Sequence, residues 1–115
     1  MRWEIILDAV EKYQNVIHLP IALAIKNISE IHKDIHLHLA ETSDITLDIP
    51  AEAEADLSFV QLVESARIDA RVAGKTLRLM APATGSVLKV LQRGGFIDVL
   101  SADDAQFWLH QEVSV

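Results

Sequence analysis

The chain has 115 residues, half of them hydrophobic, with a net charge of −7 at pH 7 and no cysteine. That length fits one domain, residues 1–115, able to bury a single core without covalent staples. The composition excludes disulfides, thiolate metal sites and cysteine nucleophiles, and the acidic balance argues against the concentrated basic surface that nucleic-acid binding needs.

Trp3 to Leu7 is short, apolar and β-prone, and reads as a first strand. Asn15 fits a turn, and Val16-Ile17-His18-Leu19 reads as a second strand that Pro20 ends, because proline has no N–H for a ladder. From Ile21 to Leu39 isoleucine, leucine and alanine recur every three or four residues, which predicts a first helix with one apolar stripe. Ile45 to Ile49 alternates apolar and polar residues, the pattern of a strand with one buried face. Ala51 to Ala55 is small, acidic and unassigned.

Ser58 to Val72 is the second predicted helix, closed by Gly74 as a left-handed cap. Lys75 to Met80 alternates again and predicts a strand. Pro82 suits the first turn of a third helix, whose apolar side is Val87, Leu88, Val90 and Leu91 and which Gly94-Gly95 ends. Phe96 to Leu100 reads as a short edge strand. Ser101 caps a last helix over 101–112, with Asp103 and Asp104 favourably placed near its positive end. In this last helix Trp108 reads as core and Phe107 is left open between core and docking anchor. Helices alternating with strands imply a mostly parallel sheet after an opening hairpin-like pair.

No basic segment followed by an apolar run opens the sequence. No apolar stretch approaches the roughly 20 residues of a membrane span. The expectation is a cytoplasmic domain without direct membrane insertion. Its charge is segregated. Residues 35–65 hold seven carboxylates and no Lys or Arg, whereas six of the ten Lys and Arg lie between Arg67 and Arg93. Two solvated faces of opposite sign, or a docking surface that orients a partner, both fit this pattern.

His32 and His36 stand one helical turn apart with His38 nearby, a spacing that can ligate zinc when a third ligand converges. No Glu follows His32 in the metalloprotease pattern, so these are read as surface histidines and no metal is expected. Ser58 lacks the glycines of a nucleophile elbow, which argues against a hydrolase. The Thr84-Gly85-Ser86 and Gly94-Gly95 segments match neither a phosphate loop nor a dinucleotide fingerprint. Ser58 and Asp56 are both of the types preferred at helix N-termini, where their oxygens accept bonds from unpaired backbone N–H groups. Capping alone accounts for either. A helix start is also a favourable seat for a phosphate.

Ile45 to Ile49, then Asp56-Leu57-Ser58, a helix, and Gly74-Lys75-Thr76-Leu77-Arg78-Leu79 together resemble the STAS family, the anti-sigma factor antagonists and cytoplasmic domains of sulfate transporters. The likeness runs from about Val16 to Ile97. The eight-residue step from Asp48 to Asp56 matches the family's spacing between the strand-end Asp and its switch motif. Within that motif Asp56 matches the family's Asp and Ser58 its phosphoacceptor. Leu57 replaces a small residue, and Phe59 stands where Gly is usual. Glu52 and Glu54 occupy positions where the family favours apolar residues.

The resemblance implies a single α/β domain, a mixed four- to five-stranded sheet with helices packed mainly on one face. It further implies a regulatory protein–protein interaction module and no enzymatic activity. Phosphorylation of Ser58 would switch it, with Asp56, Leu57, Phe59 and Gln61 meeting the partner. That partner would be an anti-sigma factor or related serine kinase, which brings its own ATP; the chain needs no cofactor. Two other roles fit the same family: a non-phosphorylated adaptor of a lipid-transporting ABC or chemotaxis complex, and a sensor of nucleotides or other small molecules.

Overall fold

The computed structural model describes residues 15–111; the strand predicted at Trp3 to Leu7 lies outside them. Five strands and four helices follow in order: β1 (Val16–His18), β2 (Ala22–Leu23), α1 (Ile28–Glu41), β3 (Asp44–Asp48), β4 (Glu54–Ala55), α2 (Leu57–Val72), β5 (Thr76–Leu79), α3 (Gly85–Arg93) and α4 (Ala102–Leu109). Single 3₁₀ turns at Ile25–Asn27 and Ile97–Val99 precede α1 and α4.

The α/β class is as expected, but the sheet is divided. Among the described residues β1, β3 and β5 form one parallel sheet in that order, and β2 with β4 forms a separate parallel pair. The expected opening hairpin-like pair involves Trp3 to Leu7, which lie outside the described residues. In the register of the larger sheet Ile17 pairs with Leu47, Ile45 with Leu77, and Leu47 with Leu79. All five are buried. Their neighbours Val16, His18, Thr46, Thr76 and Arg78 are exposed or half-buried. Period-two alternation thus makes the sheet one-sided, and the helices supply the cover: Ile31, Ile35 and Leu39 from α1, Phe59, Val63, Ala66 and Ala70 from α2, Val87 and Leu91 from α3.

Four boundaries differ from expectation, each for a physical reason. The first helix begins at Ile28, not Ile21, because Ile21 and Leu23 give their carbonyls to Glu54 N–H (2.7 Å) and Asp56 N–H (3.2 Å), which makes the short β2–β4 pair. Pro82 precedes the third helix instead of opening it; Thr84 is the N-cap. Phe96 to Leu100 is not a strand. Gly95 (φ +76°) turns the chain at the end of α3, and Phe96 N–H closes back on Leu91 C=O at 3.0 Å, which commits Phe96 to a helix cap. The last helix ends at Leu109, and His110 stops it in a left-handed conformation (φ +53°).

Other ends form as the residue types dictate. Gly74 (φ +72°) carries Lys75 N–H back to Ala70 C=O at 2.8 Å. Ser101 Oγ accepts from Asp104 N–H at 3.1 Å, and the Asp104 carboxylate accepts from Ser101 N–H at 3.4 Å, a reciprocal capping box. Trp108 and Phe59 are the largest fully buried side chains, and Phe107 is buried beside Trp108 with the rings edge to face at 5.1 Å.

Candidate functional site

Asp56 is the residue on which the start of α2 is built. It sits in extended backbone as the N-cap, and one carboxylate oxygen, Oδ1, accepts from Ser58 N–H at 3.0 Å. The Ser58 hydroxyl donates to the same oxygen. The second oxygen, Oδ2, accepts from Ile25 N–H at 3.1 Å, across 31 residues of sequence. A single carboxylate therefore ties the 3₁₀ turn before α1 to the first turn of α2. These donors stabilise its charged form. The Ser58 hydroxyl lowers the Asp56 pKa most, partial burial opposes it, and the N–H groups of Ile25, Phe59 and Ser58 lower it further, leaving it below the ordinary carboxylate value.

Ser58 occupies the second position of α2, half-buried, with its hydroxyl at the corner between the two turns. Leu57 beside it is 45% exposed, and Gln61 one turn on is exposed. Phe59 is different. It is 0% exposed, and its position in the series Phe59, Val63, Ala66, Ala70 points its side chain into the core. Phe59 is thus corrected from a partner-facing residue to a core residue.

Two residues missed in the sequence complete the corner. Ile21 and Ile25, read as buried helix positions, are 51% and 74% exposed. With Leu57 they place exposed apolar side chains on the segments that Asp56 and the β2–β4 pair join. Glu52 and Glu54 are exposed on the segment leading to Asp56. Ser86 is the other omission: its hydroxyl oxygen accepts from Ala55 N–H (2.6 Å) and donates to Ala55 C=O (3.2 Å), locking the start of α3 to β4. A serine near a helix start carries no signal of so distant a partner.

The three histidines do not converge. His32 and His36 stack edge to face at 4.3 Å, His36 Nε2 lies 3.7 Å from Asp69, and His38 Nδ1 turns to Asp34 C=O at 2.8 Å. Among the described residues no helix is long and apolar enough to cross a membrane. In comparisons with known proteins, no family model, curated protein or solved structure matches the chain.

Proposed function

We propose that the domain is a regulatory protein–protein interaction module of the STAS type, related to the anti-sigma factor antagonists, switched by phosphorylation of Ser58 and without catalytic activity. The observation that carries this reading is the Ser58 hydroxyl at the first turn of α2, held by a carboxylate whose other oxygen reaches a second segment, with exposed Ile21, Ile25 and Leu57 around it. Esterified to phosphate, Ser58 Oγ has no proton to donate to Asp56. The phosphate brings about −1.5 to −2 charges against that carboxylate. Repulsion between the two weakens the Asp56–Ile25 bond and loosens the turn that carries Ile25, so one modification alters both the charge and the apolar contour of the docking face. The partner is an anti-sigma factor or a related serine kinase that carries its own ATP.

The adaptor role has its own support. Ile21, Ile25 and Leu57 offer apolar contact whether or not Ser58 is modified, and a hydroxyl already bonded to the N-cap serves the fold as it stands. One experiment separates the two. Co-purification of the chain with its partner, followed by intact-mass analysis, is expected to show one added phosphate that Ser58→Ala abolishes. Ser58→Glu is expected to weaken the complex about 5- to 150-fold, the range of an ordinary coupling energy. Unmodified protein, with both variants binding as wild type does, assigns the adaptor role instead.

A further inference from the structure

We infer that the outer edge of β5 receives an acidic peptide segment as an added strand. This surface lies at the opposite end of α2 from Ser58, and the inference does not depend on the switch. Thr76 N–H donates to Ser43 C=O at 2.8 Å and Met80 N–H to Leu47 C=O at 2.9 Å. Alternate residues of a parallel strand face the same neighbour. Leu77 and Leu79 therefore turn their N–H and C=O groups away from β3, toward the side of the sheet where no further strand is paired among the described residues. His110 Nε2 donates to Leu79 C=O at 3.1 Å and closes the C-terminal end of that edge. Beside Leu77 runs a cleft of about 480 Å³ between the strand and α4, lined by every residue of β5.

The walls specify the ligand. Arg71 and Arg78 line the cleft with side chains 70% and 59% exposed in a chain whose net charge is −7; Lys75 lines it too, with its ammonium donating to Leu39 C=O, and Asp103 is the single carboxylate residue among the lining. The acidic partners of the two arginines are distant or exposed: Asp103 lies 4.0 Å from Arg71 and Asp44 lies 3.4 Å from Arg78. A second copy pairing edge to edge would set these cations against their equivalents, so the complementary strand is acidic. Leu77, Leu79 and Phe107 give the cleft an apolar floor. The cations stand along an edge instead of converging on a point. This arrangement suits an extended peptide of alternating acidic and aliphatic residues, in which backbone bonds give affinity and alternate side chains give specificity. Four residues of strand offer a contact about 13 Å long. Leu77 is only 9% exposed, so the entering strand displaces side chains that line the cleft.

The test uses the full chain, isotope-labelled, with a capped Glu-Val-Glu-Val-Glu-Val peptide. Saturable binding near about 100 µM is expected, with the Leu77 amide gaining at least about tenfold protection from hydrogen exchange. A Lys-Val peptide and a backbone N-methylated Glu-Val peptide are expected not to bind. R71E/R78E is expected to weaken binding about tenfold or more, and R71Q/R78Q less, both with the unfolding midpoint of the wild type because the ion pairs removed are exposed. Three results each overturn the inference: no saturable binding, binding without Leu77 protection, or equal displacement by inorganic phosphate, which reveals a site for small anions. A concentration-dependent dimer that protects Leu77 in the absence of peptide overturns it as well, by assigning the edge to a second copy.

Discussion

Asp56 joins two segments of the chain through one carboxylate. Its three donors come from two segments, so its loss and its neutralisation have different consequences. Asp56→Ala removes the N-cap and the Ile25 bond together and is expected to cost about 1–2 kcal/mol in urea unfolding. Asp56→Asn keeps an acceptor at the cap and is expected to cost about half as much. Ser58→Ala leaves the Ser58 N–H bond intact and is expected to cost less than about 1 kcal/mol. If Asp56→Asn unfolds as readily as Asp56→Ala, the charge and not the cap geometry carries the effect. The same residue contributes to acid sensitivity, together with Asp104. Burial raises the Asp104 pKa, but the Arg67 guanidinium and the Ser101 N–H and hydroxyl outweigh it and leave the group below its ordinary value. Both folded pKa values thus lie under the unfolded value of about 3.9. In the window between them the unfolded chain binds more protons, so stability rises with pH there. The contribution is complete above about pH 5 and is lost as pH falls through the folded values. Urea midpoints between pH 7 and pH 3 are expected to fall less steeply in a D56N/D104N variant than in the wild type; an unchanged slope would show that other carboxylates set the acid limb.

At the scale of the element, two glycines test what the turns demand. Gly74 and Gly85 both have positive φ, +72° and +55°, but a Cβ at Gly74 meets nothing within 4 Å whereas one at Gly85 approaches Ala51 C=O at 3.1 Å. Gly74→Ala is expected to cost about 1 kcal/mol from the left-handed conformation alone. Gly85→Ala adds the backbone contact and is expected to cost about 2 kcal/mol or more in the same unfolding assay; equal costs would show that the loop carrying Ala51 yields freely. Gly74 was legible in the sequence because a helix end is a local event, set by residues within one turn. The alternation in Ile45 to Ile49 and Lys75 to Met80 was legible for a similar reason, as was Ser101 as a helix cap, though not the reciprocal bond from Ser101 N–H to the Asp104 carboxylate. The start of the first helix was not. Ile21 and Ile25 keep helical spacing with Ile28 and Ile31, yet β2 exists only because β4, some 30 residues on, supplies its hydrogen bonds. Phe59 is the opposite case. The spacing Phe59, Val63, Ala66, Ala70 is itself a core pattern, whereas the likeness to a switch motif around Ser58 implied a partner-facing Phe59. Asp56 and Ser58 at the head of α2 were readable from residue type, but the third partner, Ile25 N–H, came only with the tertiary fold.

For the molecule as a whole, the last helix decides whether the β5 side of the sheet is closed. Trp108 is 0% exposed and its indole N–H donates to Glu64 at 2.7 Å. Glu64 pairs with Arg67 at 3.0 Å, and Arg67 continues to Asp104 at 2.9 Å and lies over the Phe107 ring at 4.3 Å. Two further ties accompany this anchorage, the backbone bond from Ala83 N–H to Trp108 C=O at 2.7 Å and the His110 side-chain bond to Leu79 C=O. Truncating the indole should therefore act well beyond its own volume. Trp108→Ala is expected to cost about 3–5 kcal/mol, a large part of the roughly 5–15 kcal/mol that stabilises a domain. Trp108→Phe keeps most of the packing, and Glu64 retains Arg67, so about 1–2 kcal/mol is expected. Hydrogen exchange distinguishes a general loosening from release of α4. If the helix is held as described, the Ala83 amide loses protection in Trp108→Ala while the Leu47 amide, central in the sheet, follows only the global stability. Parallel loss at Ala83 and Leu47 would mean that α4 unfolds with the core as one unit. The wall of the cleft beside β5 would then be as rigid as the sheet itself, and access to the Leu77 edge would depend on side-chain movement alone.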